Sequence, residues 1–191
     1  MLSSTSKPYL IIVTSRPAAG KTSIARRFAK ELNLPLASKD SIREVLFNRL
    51  GWKDREWAQL LGRASIDLMF HFAEVQLEAG HSFILDNAFD PALSTPRFLA
   101  LQKKFNVGII QIICNSDAKT LFNRFVKRAD SGERHPGHGD KEVLEELRAH
   151  LAEERSPVME LDGVVIEIDT TDFELIDHQA ILQELKSLIT E

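Results

Sequence analysis

The stretch LIIVTSRPAAGKTSIARRF, residues 10–28, limits what this chain can fold into more than any other. An apolar run ends in a turn of small residues, and Lys21 and Thr22 then open a segment in which Ile24, Phe28 and Leu32 share one helical face. A buried strand feeding a tight turn and then a helix aims successive backbone N–H groups at one anion, with the positive end of the helix behind them. Ala-Gly-Lys-Thr completes the second half of the phosphate-loop pattern G-x-x-x-x-G-K-[ST], and Gly20 allows close backbone approach. Ser15 stands where that pattern starts with glycine, so a residue with a side chain must make the turn out of the strand. Residues Arg16, Pro17, Ala18, Ala19, Gly20, Lys21, Thr22 and Ser23 are the expected wall of a nucleotide-phosphate site. Lys21 would reach the β- and γ-phosphates, and the Thr22 hydroxyl would ligate Mg²⁺. The alternative, a chance Ala-Gly-Lys-Thr at a helix start, is opposed by the strand before it and the helix after it.

Apolar runs alternate with stretches of helical period along the rest of the chain, the pattern of an α/β fold whose parallel sheet is covered on both faces. The expected strands are YLIIVT, a short LPLAS, SFILDN, VGIIQIIC and GVVIEID. Trp57, Leu60, Leu61, Ala64, Leu68, Phe72, Val75 and Ala79 recur at steps of three and four and mark a long amphipathic helix ended by Gly80, with Met69 and Phe70 in or near the core. Leu121, Phe122, Phe125 and Ala129 repeat the pattern, as do Val143, Leu144, Leu147 and Leu151, and then Ile181, Leu182, Leu185, Leu188 and Ile189. SFILD is an apolar strand ending in an acid, and ligands of such sheets bind at the carboxyl ends of the strands. Asp86 is therefore placed to hold Mg²⁺ or to orient an acceptor, with Asn87 as a weaker candidate and a plain strand-end turn as the alternative.

Length and composition bound the function. A chain of 191 residues, 43% hydrophobic and 27% charged, matches one domain with a full core, so residues 1–191 are read as a single domain. The net charge of −4 gives no general attraction to nucleic acid or anionic lipid. Cys114, the sole cysteine, lies in an apolar run and is expected in the core, which excludes an internal disulfide and favours a reducing compartment. The apolar run before Arg16 is too short for a secretory signal, and nothing reaches the ~18 apolar residues of a membrane span. A cytoplasmic protein is expected.

The segments TSRPAAGKTSIARRFAKELNLPLASKDSIREVL, ILDNAF and SGERHPGH together resemble the small P-loop kinases related to polynucleotide kinase, zeta toxin and chloramphenicol phosphotransferase. The resemblance spans nearly the whole chain. It implies a P-loop NTPase fold with a five-stranded parallel sheet, helices on both faces and a helical lid over about residues 124–141. It also implies ATP with Mg²⁺ and phosphoryl transfer to a hydroxyl. The Asp40-x-x-Arg43 spacing is similar to that of the 5′-hydroxyl kinases, which suggests Asp40 as the base and Arg43 as an acceptor or phosphate contact. The competing reading makes Asp40 a helix cap, or the neighbour of a Ser41-x-x-Glu44 capping box. Lys39 is taken as a solvated neighbour, with a substrate contact as the alternative. From the family's lid pattern Arg124 and Arg128 are the expected arginines on the nucleotide phosphates, ahead of Lys127 and Arg134.

The polar stretch DSGERHPGHGD, residues 130–140, has a length usually kept for function or disorder. His135, His138 and Asp140 within it raise a structural zinc site as a minor alternative, and Asp140 is more simply the cap of the next helix. Trp52 and Trp57 either stack a planar acceptor or anchor the long helix. The leading expectation is an ATP-dependent kinase for a small-molecule or nucleotide-type acceptor, with nucleic-acid ends open but not favoured and no membrane partner. A nucleotide-driven switch or ATPase, or a non-catalytic nucleotide-binding module, are the alternatives.

Overall fold

The computed structural model describes residues 7–140, 144, 148 and 156–190. Five strands form one parallel sheet: β1 (Tyr9–Thr14), β2 (Leu36–Ser38), β3 (Phe83–Asp86), β4 (Gly108–Asn115) and β5 (Val164–Asp169), in the order β2-β3-β1-β4-β5. The strand expectations hold to within a residue or two at each end. Side chains alternate across a strand, so β1 sends Ile11 and Val13 to one face and Leu10 and Ile12 to the other, all with 0% exposure. The first face is covered by α1 (Lys21–Leu32), α5 (Ala118–Ser131) and α6 (His178–Thr190) through Ile24, Phe28, Leu121, Phe125, Leu182 and Leu185. The second is covered by α3 (Arg55–Glu78) and α4 (Pro91–Phe105) through Met69, Phe70, Ala73, Leu77, Phe98 and Leu101. A short helix α2 (Lys39–Leu50) follows β2 and packs on α3. Val143, Leu147 and Leu151 lie outside the described residues, and Leu144 is partly buried against the first face.

Two local devices fix the return of the chain to β5. Gln111 on β4 is fully buried, and its side-chain amide donates to Met159 O at 3.0 Å while accepting from Met159 N–H at 3.1 Å. A buried amide satisfied on both sides ties the segment before β5 to the sheet without leaving an orphaned polar group. Cys114 is buried as expected, and burial pushes its thiol up to about 12, so it is an inert core group.

The packed face of α3 differs in part from the sequence expectation. Leu61, Met69 and Phe70 are buried as expected, but Leu60, Leu68 and Val75 are 46%, 44% and 46% exposed, and Ala58, Gly62, Ser65, Ala73 and Leu77 are buried instead. This 24-residue helix carries apolar residues on two adjacent stripes; Met69, Phe70, Ala73 and Leu77 of one join the core under the sheet, and Ala58 and Leu61 pack on Phe47 of α2. Gly62 sits on the buried stripe with helical backbone, and a Cβ there would lie 3.7 Å from Arg43 Nε, an ordinary contact. Gly62→Ala is therefore expected to stabilise the protein by up to about 1 kcal/mol, read as a higher denaturation midpoint with an unchanged slope. Trp57 anchors α3 as one sequence reading had it: its N–H takes the Asp54 cap at 2.8 Å, and its indole N–H donates to Gly51 O at 2.9 Å. Among the described residues no helix is long and apolar enough to cross a membrane.

Candidate active site

The loop after β1 lies at the carboxyl edge of the central strand. Ser15 is buried with φ in the ordinary negative range, and its hydroxyl donates to Arg16 O at 3.1 Å, so the turn does not need glycine there. Arg16 faces away from the phosphate side: its N–H donates to Ser156 Oγ at 3.1 Å and its guanidinium to Ser116 O at 2.9 Å. Ala19 is likewise buried in the core, so these two of the expected wall residues brace the loop and do not face the cavity. Gly20, at φ +81°, precedes α1, and among the described residues no side chain caps that helix, which leaves its first N–H groups to an anion. The left-handed backbone at Gly20 coincides with the ring of Phe173, whose nearest atom would lie 2.1 Å from an added Cβ.

Thr22 and Asp86 meet directly. Asp86 ends β3, is 2% exposed, and its Oδ2 accepts from Thr22 Oγ1 and from Ser38 Oγ, each at 2.8 Å. Its Oδ1 is buried with no hydrogen-bond partner among the described residues. Burial raises the Asp86 carboxyl above the usual carboxylate range, opposed first by Lys21 and then by the two hydroxyls. Burial also lowers the Lys21 ammonium, with Asp86 and Asp40 opposing it.

Asp40 lies in the first turn of α2, one residue past Lys39, and pairs with Arg134, 94 residues further along. The cap readings fail. Ser38 is the N-cap residue, yet its hydroxyl is given to Asp86, and Glu44 lies 3.0 Å from His138 Nε2, so neither it nor Ser41 closes a capping box. Burial alone would raise the Asp40 carboxyl, but Arg134, then His138, Lys21 and Lys39, outweigh it and hold the group below its ordinary range. Arg43 lines the same cavity, but its guanidinium is fastened to Ala58 O at 2.8 Å and stacks over Phe47 at 5.0 Å. Lys39 is not a solvated neighbour: it lines the cavity, and burial lowers its ammonium.

From α5 and the turn after it, Arg128 Nε donates to Asp140 Oδ2 at 3.2 Å and Arg134 to Asp140 Oδ1 at 2.7 Å. Asp140 is thus the hub between two arginines; the first turn of the helix it was expected to cap lies outside the described residues. Asp130 and Ser131 extend α5, and Pro136–His138 form a 3₁₀ turn, so the polar stretch is more ordered than its composition suggests. Arg124 donates to Thr170 O and Thr171 O at 2.8 and 3.0 Å and lies over the Phe173 ring at 4.5 Å. Lys21, Thr22, Asp40, Arg43, Asp86, Arg128 and Arg134 line one cavity of about 340 Å³, which is roomy enough for a small molecule. A shallower hollow walled by Ala18, Gly20, Ser23 and Arg124 adjoins it through Lys21, Thr22 and Arg128.

A profile of the AAA domain family AAA_33 matches residues 10–154. The chain belongs to this family, within the P-loop kinase group. A Chloroflexus aurantiacus protein provisionally described as a kinase is 38% identical over 95% of this chain and 98% of its own, with a TM-score of 0.86. A sugar kinase from Janibacter sp. HTCC2649 is 15% identical over 94% of this chain and 93% of its own, with a TM-score of 0.57. Shikimate kinase from Bacteroides thetaiotaomicron is 18% identical over 96% and 99%, at a TM-score of 0.50. The last two share the fold alone with this AAA_33 chain. Among curated proteins none matches it.

The AAA_33 fold implies nucleotide binding, and the donor set fits a magnesium-bound nucleotide. One hydroxyl and one carboxylate with a buried, unpartnered oxygen suit a hard cation that takes few protein ligands and leaves its other positions to phosphate and water. Among the described residues no three His, Cys, Asp or Glu side chains are grouped to hold a metal, so the zinc alternative finds no support there. His138 is engaged with Glu44, and His135 Nδ1 accepts from Gly137 N–H at 3.0 Å while its ring stacks on Phe47. Sequence reasoning missed the roles of Phe173, Ser38 and the Arg134–Asp140 pair, because each is set by contacts between distant segments. Ala18 holds φ +65° in this AAA_33 loop, a conformation costing an L-residue roughly 1–2 kcal/mol. Ala18→Gly is expected to raise stability by up to about 1 kcal/mol after the extra freedom of glycine in the unfolded chain is deducted, measured by denaturant titration.

Proposed function

We propose that this chain is an ATP-dependent phosphotransferase that moves the γ-phosphate to a hydroxyl of a small-molecule or nucleotide-type acceptor. The observation that carries the reading is the convergence, in one cavity, of Lys21, the Thr22–Asp86 pair and Asp40. In this reading Lys21 and the first N–H groups of α1 bind the β- and γ-phosphates, while Thr22 and Asp86 hold Mg²⁺. Bound magnesium would neutralise charge on the phosphate oxygens. Asp40 orients the acceptor hydroxyl and takes its proton as the oxygen bonds to the γ-phosphorus; the bond to the β,γ-bridging oxygen breaks, and ADP leaves with that electron pair. Arg128 and Arg124 bind phosphate oxygens, and Arg43 contacts the acceptor. All 191 residues are assigned to one kinase domain with a lid over about 124–141, acting in the cytoplasm, in keeping with a buried lone cysteine.

The test is acceptor-dependent transfer from γ-labelled ATP across nucleosides, oligonucleotides, aminoglycosides, chloramphenicol, amino alcohols and hydroxy acids. Label appearing in one acceptor class, with ADP release that depends on it, is the expected result. ADP release at one rate whatever is added would identify an ATPase or switch instead. Mg-ATP that leaves the melting temperature unmoved at millimolar concentration would remove nucleotide binding altogether.

A further inference from the structure

The cavity holds more positive charge than the described residues balance. Besides Lys21 of the phosphate loop, Lys39 and Arg43 from α2, Arg128 from α5 and Arg134 from the turn after it enter the cavity against Asp40, Asp86 and Asp140. Neither Lys39 nor Arg43 makes an ion pair with a carboxylate among the described residues. Arg43 is rigidly presented, with one N–H on Ala58 O and the guanidinium over Phe47, yet its Nε is buried without a hydrogen-bond partner among the described residues. Desolvated cations are tolerated when an anion completes them.

Arg134 holds Asp40 through one carboxylate oxygen, which makes the carboxylate a weaker base until the guanidinium acquires another partner. The turn that carries Arg134 is fixed by contact: Gly137 lies against Phe47, where an added Cβ would come within 2.9 Å of the ring, and His138 reaches Glu44. The arginine can exchange partners while its turn stays seated.

We infer that the acceptor is a hydroxyl compound bearing a phosphate or carboxylate group, which Lys39, Arg43 and Arg134 bind while the hydroxyl faces Asp40. This rests on the kinase reading and narrows its substrate class. The anionic group takes the guanidinium of Arg134 from Asp40, so a stronger base faces the hydroxyl once an acceptor is bound. Transfer then proceeds as above, with the proton passing to Asp40 and ADP as the leaving group.

The class is tested with the phosphate loop filled by the magnesium complex of a non-hydrolysable ATP analogue, so that an added anion must bind beyond the nucleotide's own phosphates. Calorimetry is run with inorganic phosphate and, separately, with glycolate, on wild type, Arg43→Gln and Lys39→Gln; the arm that binds tells phosphate from carboxylate recognition. At least one anion is expected to bind, at least ~10-fold more weakly to each variant, a loss of about 1.4 kcal/mol for one charge-assisted contact. Lys39→Gln alters a side chain that lines the cavity and not the core, so it remains informative if Arg43→Gln melts early. No binding of either anion, or binding unchanged in both variants, overturns the inference. Transfer from ATP to glycerol, glycerol phosphate and glycerate provides a matched series. Use of glycerol as readily as its anions overturns the substrate class but leaves the kinase reading standing. Failure of the analogue itself to bind removes the kinase reading and the inference with it.

Discussion

Asp40→Asn is expected to lower phosphoryl transfer by roughly 10²-fold or more while leaving Mg-ATP affinity near wild type, since a positioned base contributes ~10² to 10⁴. Asparagine keeps the shape of the side chain and removes the proton acceptor and the charge. Its structural cost is small. The Asp40 side chain is 40% exposed and caps nothing, and Arg134 keeps Asp140 as a partner, so the loss of this ion pair should cost at most about 1 kcal/mol. Acceptor phosphorylation, slow ATP hydrolysis with water in place of the hydroxyl, and the thermal shift by Mg-ATP are measured together. The expected pattern is a fall in the first two with the third preserved. Wild-type rates in both would exclude Asp40 as the base and move the role to Asp86, whose asparagine variant should then show the loss. The sign of the pH effect follows from the same pairing. A carboxyl held below its unfolded value contributes stability that is present above the unfolded value and is lost as the pH falls through the folded one. The Asp40–Arg134 link should therefore persist into mildly acidic solution.

Lys21→Ala is expected to weaken Mg-ATP binding strongly and to cut transfer by at least ~10²-fold, because the lysine supplies a fixed positive charge where phosphate charge develops. The melting temperature of the free protein should change little. Lys21 lies in a crowded site where burial already disfavours its charge, and removing it relieves that penalty while withdrawing a favourable cation from Asp86 and Asp40. Calorimetric titration with Mg-ATP separates the outcomes, and unchanged affinity with unchanged turnover would remove Lys21 from the site.

What the sequence determined by itself is what is local. The apolar runs of β1, β3 and β4 declare strands because buried parallel strands need no polar face, and the strand-turn-helix of residues 10–28 carries its anion site in consecutive backbone groups. The tertiary structure decided what depends on partners far along the chain. α3 has two apolar stripes, so its period predicts a helix but not which side meets the sheet; packing against β2 and β3 makes that choice. Asp40 and Arg43 share a helix face by spacing, yet the ion pair forms with Arg134 because the turn after α5 seats on Phe47 and brings a guanidinium across 94 residues. Phe173 meets Gly20 in the same way, through the return of β5 beside β4 and not through any motif. Periodicity and turn chemistry are written in neighbouring residues, whereas a side chain's electrostatic partner is settled only when the sheet order brings distant segments together.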